Sequence, residues 1–156
     1  MIIAHLPSGY LLGRGIKARG WLMAAAVLGA VFPDFDLIWF YGVDDRAFHH
    51  HLYWVHMPGF WLAVGVICLT VLRLAAPRAL PLAAAFLAGI ALHLVLDTFA
   101  GGIAWGWPVS THLTTLVTVP ATQSHWLLSF ILHWSFLPEL AIWAAALFLF
   151  FKRKLS

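Results

Sequence analysis

Nine histidines and six acidic residues stand in a chain of 156 residues of which only 10% are charged, and they fall into a few short groups. His93 and Asp97 are spaced i, i+4, so on a helix both side chains project from one face and can hold a common cation. The plainer alternative is that His93 bonds Asp97 or a backbone carbonyl between helices. Asp34 and Asp36 are i, i+2 and would diverge on an intact helix, but Pro33 can bend the backbone until both carboxylates turn inward. A simple kink, with Asp34 capping the next turn, competes with that arrangement. His49, His50 and His51 run together and His56 follows, a stretch that reads either as a ligand loop or as a solvated run.

Taken together, these groups need a counter-charge. Unpaired carboxylates near hydrocarbon are costly, and no Lys or Arg lies within the apolar segments that carry them. A divalent transition metal supplies the charge, and carboxylate oxygen with neutral imidazole nitrogen suits zinc first, with manganese or iron as alternatives. Two Asp from one segment, a His and an Asp from another and two or more loop His exceed the ligand count of one tetrahedral zinc. The preferred reading is therefore two ions; one ion with outer carboxylates is the other.

The elements that must position these residues are membrane helices. At 63% hydrophobic residues and a mean hydropathy of +0.91 the chain is too apolar for a soluble domain of its size, which excludes a soluble enzyme. The net charge of +3 comes from small scattered groups with no basic stripe, which excludes a nucleic-acid binder. Cys68, the single cysteine, lies in an apolar run and can form neither an intrachain disulfide nor a Cys-based zinc site. Four runs are long enough to cross a bilayer: Trp21 to Tyr41, Pro58 to Leu74, Pro81 to Phe99 and Phe130 to Phe151. The expected fold is an all-α polytopic membrane bundle forming one domain over 1–156. A short apolar segment, Leu6 to Ile16, either forms a hairpin with the first long helix or lies flat on the membrane surface.

Eight of the nine basic residues fall in the 14–19 segment, the 73–78 segment and the 152–154 tail, which places those on the cytoplasmic side. Gly42 to Met57, with Arg46 alone, and Ala100 to Ser129, with no charge, then face outward. At about 1.5 Å per residue, Asp34 lies roughly 20 Å up its helix and His93 and Asp97 roughly 18 to 24 Å up theirs. All three arrive near the outer boundary, beside the histidine loop. Trp105, Trp107, Trp126 and Trp134 read as an interfacial belt. His112 and His125 read as surface residues, and Glu139 as a hydrogen-bonding partner of His133 or another helix, outside the site.

His5, Pro33-Asp34-Phe35-Asp36, His51-x4-His56, His93-x3-Asp97 and Gly106-Trp107-Pro108 together resemble bacterial inner-membrane proteins described as membrane-bound metal-dependent hydrolases. The family's His-Arg-Gly-x-Thr-His-Ser element here reads His51-Leu52-Tyr53-Trp54-Val55-His56-Met57, so both imidazoles are kept while the Arg, Gly, Thr and Ser are lost. Metal binding survives that change, but any substrate contact from the lost groups does not carry over. The ligand types are also similar to those of zinc phospholipase C enzymes. The resemblance implies a multi-pass inner-membrane hydrolase with His5 as a metal ligand, and hence a helical hairpin at the N-terminus with that end outside.

The metal set is thus His5, Asp34, Asp36, His51, His56, His93 and Asp97. Asp36 is a bridging ligand or the general base that takes the proton of the attacking water. His50, grouped with Asp36 as a catalytic candidate, and His49 read as ligands, a proton shuttle or solvated neighbours. The implied reaction is hydrolysis of a phosphoester, ester or amide in a lipid-like substrate drawn from the surrounding membrane lipids. A non-catalytic scaffold with a structural metal is the alternative.

Overall fold

Apolar runs rich in Ala, Leu and Val satisfy their backbone internally as helices, and small residues let those helices approach closely. The computed structural model describes residues 1 and 3–155, with side chains as far as Lys152. Seven α-helices follow in order: α1 (His5–Gly15), α2 (Trp21–Val31), α3 (Asp36–Gly42), α4 (Pro58–Ala75), α5 (Leu80–Ala100), α6 (Trp126–Ile131) and α7 (Leu137–Leu155). Among the described residues there is no strand beyond a single antiparallel bridge between Ile103 and Thr114.

The all-helical class matches the sequence reading, but the count of spans is corrected. Among the described residues, three helices are long and apolar enough to cross a membrane, Pro58–Ala75, the stretch Pro77–Ala100 and Trp134–Lys152, or four if a bent pair counts as one span. The expected first span, 21–41, is instead a pair, Trp21–Val31 and Pro33–Gly42, bent by 54°. The bend sits at Pro33, which has no N–H to continue the helix and crowds the preceding turn. Pro33–Phe35 form a tight 3-10 turn closed by Phe35 N–H donating to the Phe32 carbonyl at 3.1 Å. The last span, expected from Phe130, begins at Trp134, because His133 adopts extended backbone and separates it from α6.

The short N-terminal segment forms the hairpin that the ligand role of His5 required. α1 packs along α2, and a Cβ on Gly9 would stand 2.7 Å from Ala30 Cβ and 2.9 Å from Val27 Cα. α2 and α5 make the most extensive helix pair. There Gly89 lies against the α2 backbone, where an added Cβ would come within 2.7 Å of Ala30 N and 2.9 Å of Gly29 C. Ile90, Leu94 and Ile103 form the buried core beside this crossing, with Phe32, Trp61, Phe86 and Leu87 packed around them. The segment after α5 folds back over the helix end, with Leu116 N–H donating to Thr98 O at 2.9 Å and Val117 N–H to Phe99 O at 2.8 Å.

Candidate metal centre

The 54° bend turns both carboxylates inward, which two positions on one straight helix could not do. Asp34 Oδ2 lies 4.0 Å from His5 Nε2 and Asp34 Oδ1 3.8 Å from His93 Nε2. Asp36 points to the other side of the cluster, its Oδ2 2.9 Å from His56 Nδ1 and its Oδ1 3.6 Å from His50 Nδ1. His93 and Asp97 share the buried face of α5 as their spacing predicts, with Nε2 and Oδ2 3.0 Å apart.

Asp97, only 1% exposed, stands at the centre. Around its Oδ2 are His93 Nε2 at 3.0 Å, His51 Nε2 at 3.4 Å and His56 Nε2 at 3.7 Å. Its Oδ1 meets His5 Nε2 at 3.1 Å and the Met1 amine at 2.5 Å. The two oxygens of one carboxylate therefore face two different groups of donors. Asp36, offered by the sequence as a bridging ligand or the general base, likewise has its two oxygens beside two different histidines, His50 and His56.

Which ring nitrogen points inward is set by contacts behind the rings. His93 Nδ1 donates to the Ala30 carbonyl at 2.8 Å, and His51 Nδ1 to the Gly102 carbonyl at 2.8 Å. Each Nδ1 proton is thus held outside and Nε2 is turned toward Asp97, the ring orientation that backbone carbonyls give to metal-binding histidine. Burial pushes the His51 imidazole down to about 3 and also holds His49 and His56 below the usual histidine range. All three are neutral at pH 7.

The donor set fits a metal. A tetrahedral ion with bonds of about 2.1 Å separates its ligand atoms by about 3.4 Å. The Nε2 atoms of His56 and His93 lie 3.3 Å apart, and the Oδ2 contacts above span 3.0 to 3.7 Å. His5 Nδ1, both oxygens of Asp36, His50 Nδ1, His56 Nδ1 and Asp97 Oδ2 are buried without a hydrogen-bond partner, although oppositely polar atoms stand close by. Buried polar atoms this near and this poorly aligned mark a place for a cation. Three groups have ligand atoms within 4.8 Å of one another: His50, His51 and His56; His5, His93 and Asp97; Asp34, His56 and His93.

The profile of the YdjM inner membrane protein family matches residues 1–154. The chain belongs to this family. No curated protein and no solved structure matches it. As a YdjM family member it is an inner-membrane protein, in keeping with its apolar helices and the large hydrophobic side chains exposed along α4 and α7.

All eight candidate site residues, His5, Asp34, Asp36, His50, His51, His56, His93 and Asp97, fall in this one cluster of the YdjM-family chain. His112 and His125 are exposed, as expected. His133 accepts from Ser135 N–H and caps the turn ahead of α7. Glu139 is fully buried, and its Oε2 accepts the Ile3 N–H at 2.6 Å while Trp143 Nε1 donates to Ile3 O at 2.9 Å. These contacts hold the N-terminal segment that carries His5. The sequence signal for Glu139 was its cost as a carboxylate inside an apolar helix; its partner, 136 positions away, was not legible.

Of the cavities that reach the cluster, two are lined by His50. One of about 300 Å³ is lined by His49, His50, His51, Gly101 and Trp126, and one of about 500 Å³ by Asp34, Phe40, Tyr41, Arg46, His50 and Trp126.

Proposed function

We propose that this protein is a metal-dependent hydrolase of a lipid-like substrate, in which His5, Asp34, His51, His56, His93 and Asp97 would hold zinc-type ions. The observation that carries the reading is the division of donors around Asp97: His51, His56 and His93 on Oδ2, His5 on Oδ1 with Asp34 beside it. When bound, a divalent metal polarises the scissile oxygen and activates water for attack.

The chain's own residues do the rest. His93 and His51 are locked by backbone carbonyls, so their Nε2 atoms hold position without reorganisation. Asp36, with its side chain 4% exposed, keeps a carboxylate beside His56 and His50 and is the group to receive a proton from the attacking water. His50, 24% exposed and 3.6 Å from Asp36, lines both cavities and passes that proton outward. The cavities favour turnover over a purely structural metal, because a structural site is closed by protein ligands. On the positive-inside rule the cluster lies near the outer face of the inner membrane and the C-terminus is cytoplasmic, so the scissile bond reaches the site while the chains stay in lipid.

Asp36→Asn tests the catalytic reading. It should abolish hydrolysis in a screen of phospholipids, lipid phosphates and acyl amides while leaving bound metal and thermal stability largely in place. Wild type that binds zinc, folds normally and hydrolyses none of these classes would instead identify a metal-stabilised scaffold.

A further inference from the structure

The larger cavity carries a group that metal binding does not use. Arg46 lines it together with Asp34, His50 and Trp126. Among the described residues, the other eight Lys and Arg lie at the far end of the helices: in the α1–α2 turn, around the α4–α5 turn and in the last turns of α7. The cluster end therefore holds one cationic side chain. Its nearest carboxylate, Asp45 Oδ1 at 3.9 Å, is itself 94% exposed, and a solvated pair of this kind does not sequester a guanidinium.

The backbone under Arg46 is built at some cost. Asp45 and Arg46 are successive non-glycine residues at φ 44° and 60°, in the left-handed region that side chains disfavour. The turn is pinned there by Asp44 N–H donating to Trp39 O at 3.0 Å, Arg46 N–H to Phe40 O at 2.9 Å and Ala47 N–H to Asp44 O at 2.9 Å. The Tyr53 hydroxyl donates to Asp44 and ties the turn to the histidine loop. A strained turn held by this many contacts fixes where Arg46 leaves the chain.

We infer that Arg46 binds the phosphoryl group of the substrate, which makes the substrate an anionic phosphoester or lipid phosphate. The inference rests on the hydrolase reading and narrows it. A guanidinium presents paired N–H donors that match phosphate oxygens, and Arg46 supplies on the 42–57 segment the cation that the histidine loop lacks. Asp34, 30% exposed on the same cavity, would repel an anion unless metal neutralises it. The phosphoryl group is thereby placed between the metal pole and Arg46. Phe40, Tyr41 and Trp126 give the rest of the cavity an apolar wall suited to the start of an acyl chain.

The test is calorimetric titration of the full-length, zinc-loaded protein in detergent with three probes: short-chain phosphatidic acid, inorganic phosphate and short-chain diacylglycerol. Arg46→Gln should weaken both phosphoryl probes by about 10- to 100-fold, the worth of a charge-assisted hydrogen bond, with zinc content unchanged and Arg46→Lys intermediate. Diacylglycerol should not distinguish the variants. Phosphatidic acid bound more tightly than phosphate assigns the site to a lipid headgroup, and equal binding assigns it to soluble phosphoesters; either supports phosphoryl recognition. Phosphoryl binding that is absent from wild type, or undiminished in Arg46→Gln, overturns it. Wild type without zinc would sink the metal reading by itself, and Arg46-dependent phosphate binding in that protein would still uphold the anion site.

Discussion

Gly101→Ala is the most economical way to disturb the centre without touching a ligand. Gly101 caps α5 at φ −106°, a conformation open to any residue, so the substitution adds only a methyl group. That methyl group would stand 3.1 Å from His51 Nδ1 and closer still to Cε1. Restoring ordinary separations of about 3.5–4.0 Å requires the ring to retreat by about 1 Å. The movement breaks the 2.8 Å bond from Nδ1 to Gly102 O, worth about 1 kcal/mol. It also stretches the 3.4 Å approach of Nε2 to Asp97 Oδ2 beyond what one tetrahedral ion can span. Mispositioning a ligand this way lowers metal affinity by roughly 10- to 100-fold. Competition of the detergent-solubilised protein against a chromophoric chelator measures the change. Gly42→Ala is the control, since its Cβ meets nothing within 4 Å. Zinc affinity in Gly101→Ala equal to wild type would refute both the ligand role of His51 and the steric argument.

Three other outcomes are expected. Gly89→Val forces apart α2, which leads into Asp34, and α5, which carries His93 and Asp97, and should lower both thermal stability and zinc content; normal zinc content would show that the crossing does not set the site. Glu139→Ala removes the acceptor of the Ile3 N–H and should lower zinc affinity through His5 more than His133→Ala does, as read by the same chelator competition. A cysteine at position 115 in a Cys68→Ala background should be labelled by an impermeant reagent in intact spheroplasts, and labelling only after lysis would reverse the orientation.

The local chemistry was written in the chain. The apolar runs demand helices because a backbone in lipid must satisfy itself, and His93-x3-Asp97 must share a face because the helix repeats every 3.6 residues. Pro33 allowed a bend that could turn both Asp34 and Asp36 inward, or a simple kink with Asp34 as a cap. What the hydropathy could not show is where the apolar runs break. The first becomes two helices at 54° and the last starts at Trp134, because a broken turn costs no apolar residue and leaves the average unchanged.

The division of labour within the site was decided by tertiary structure alone. Sequence offered Asp36 as a bridging ligand or the general base; packing α1, α5 and the histidine loop together sets Asp97 between His5 and His51, and Asp36 between His50 and His56. Ring orientation followed from the Ala30 and Gly102 carbonyls, which any sequence would have supplied and only the close crossing of α2 and α5 and the fold-back after α5 brought within reach. Glu139 and Ile3 meet across 136 positions for the same reason. Residue type determines what a side chain can donate or accept, while the distance over which it acts depends on helix crossings that the spacing of residues along one chain does not encode.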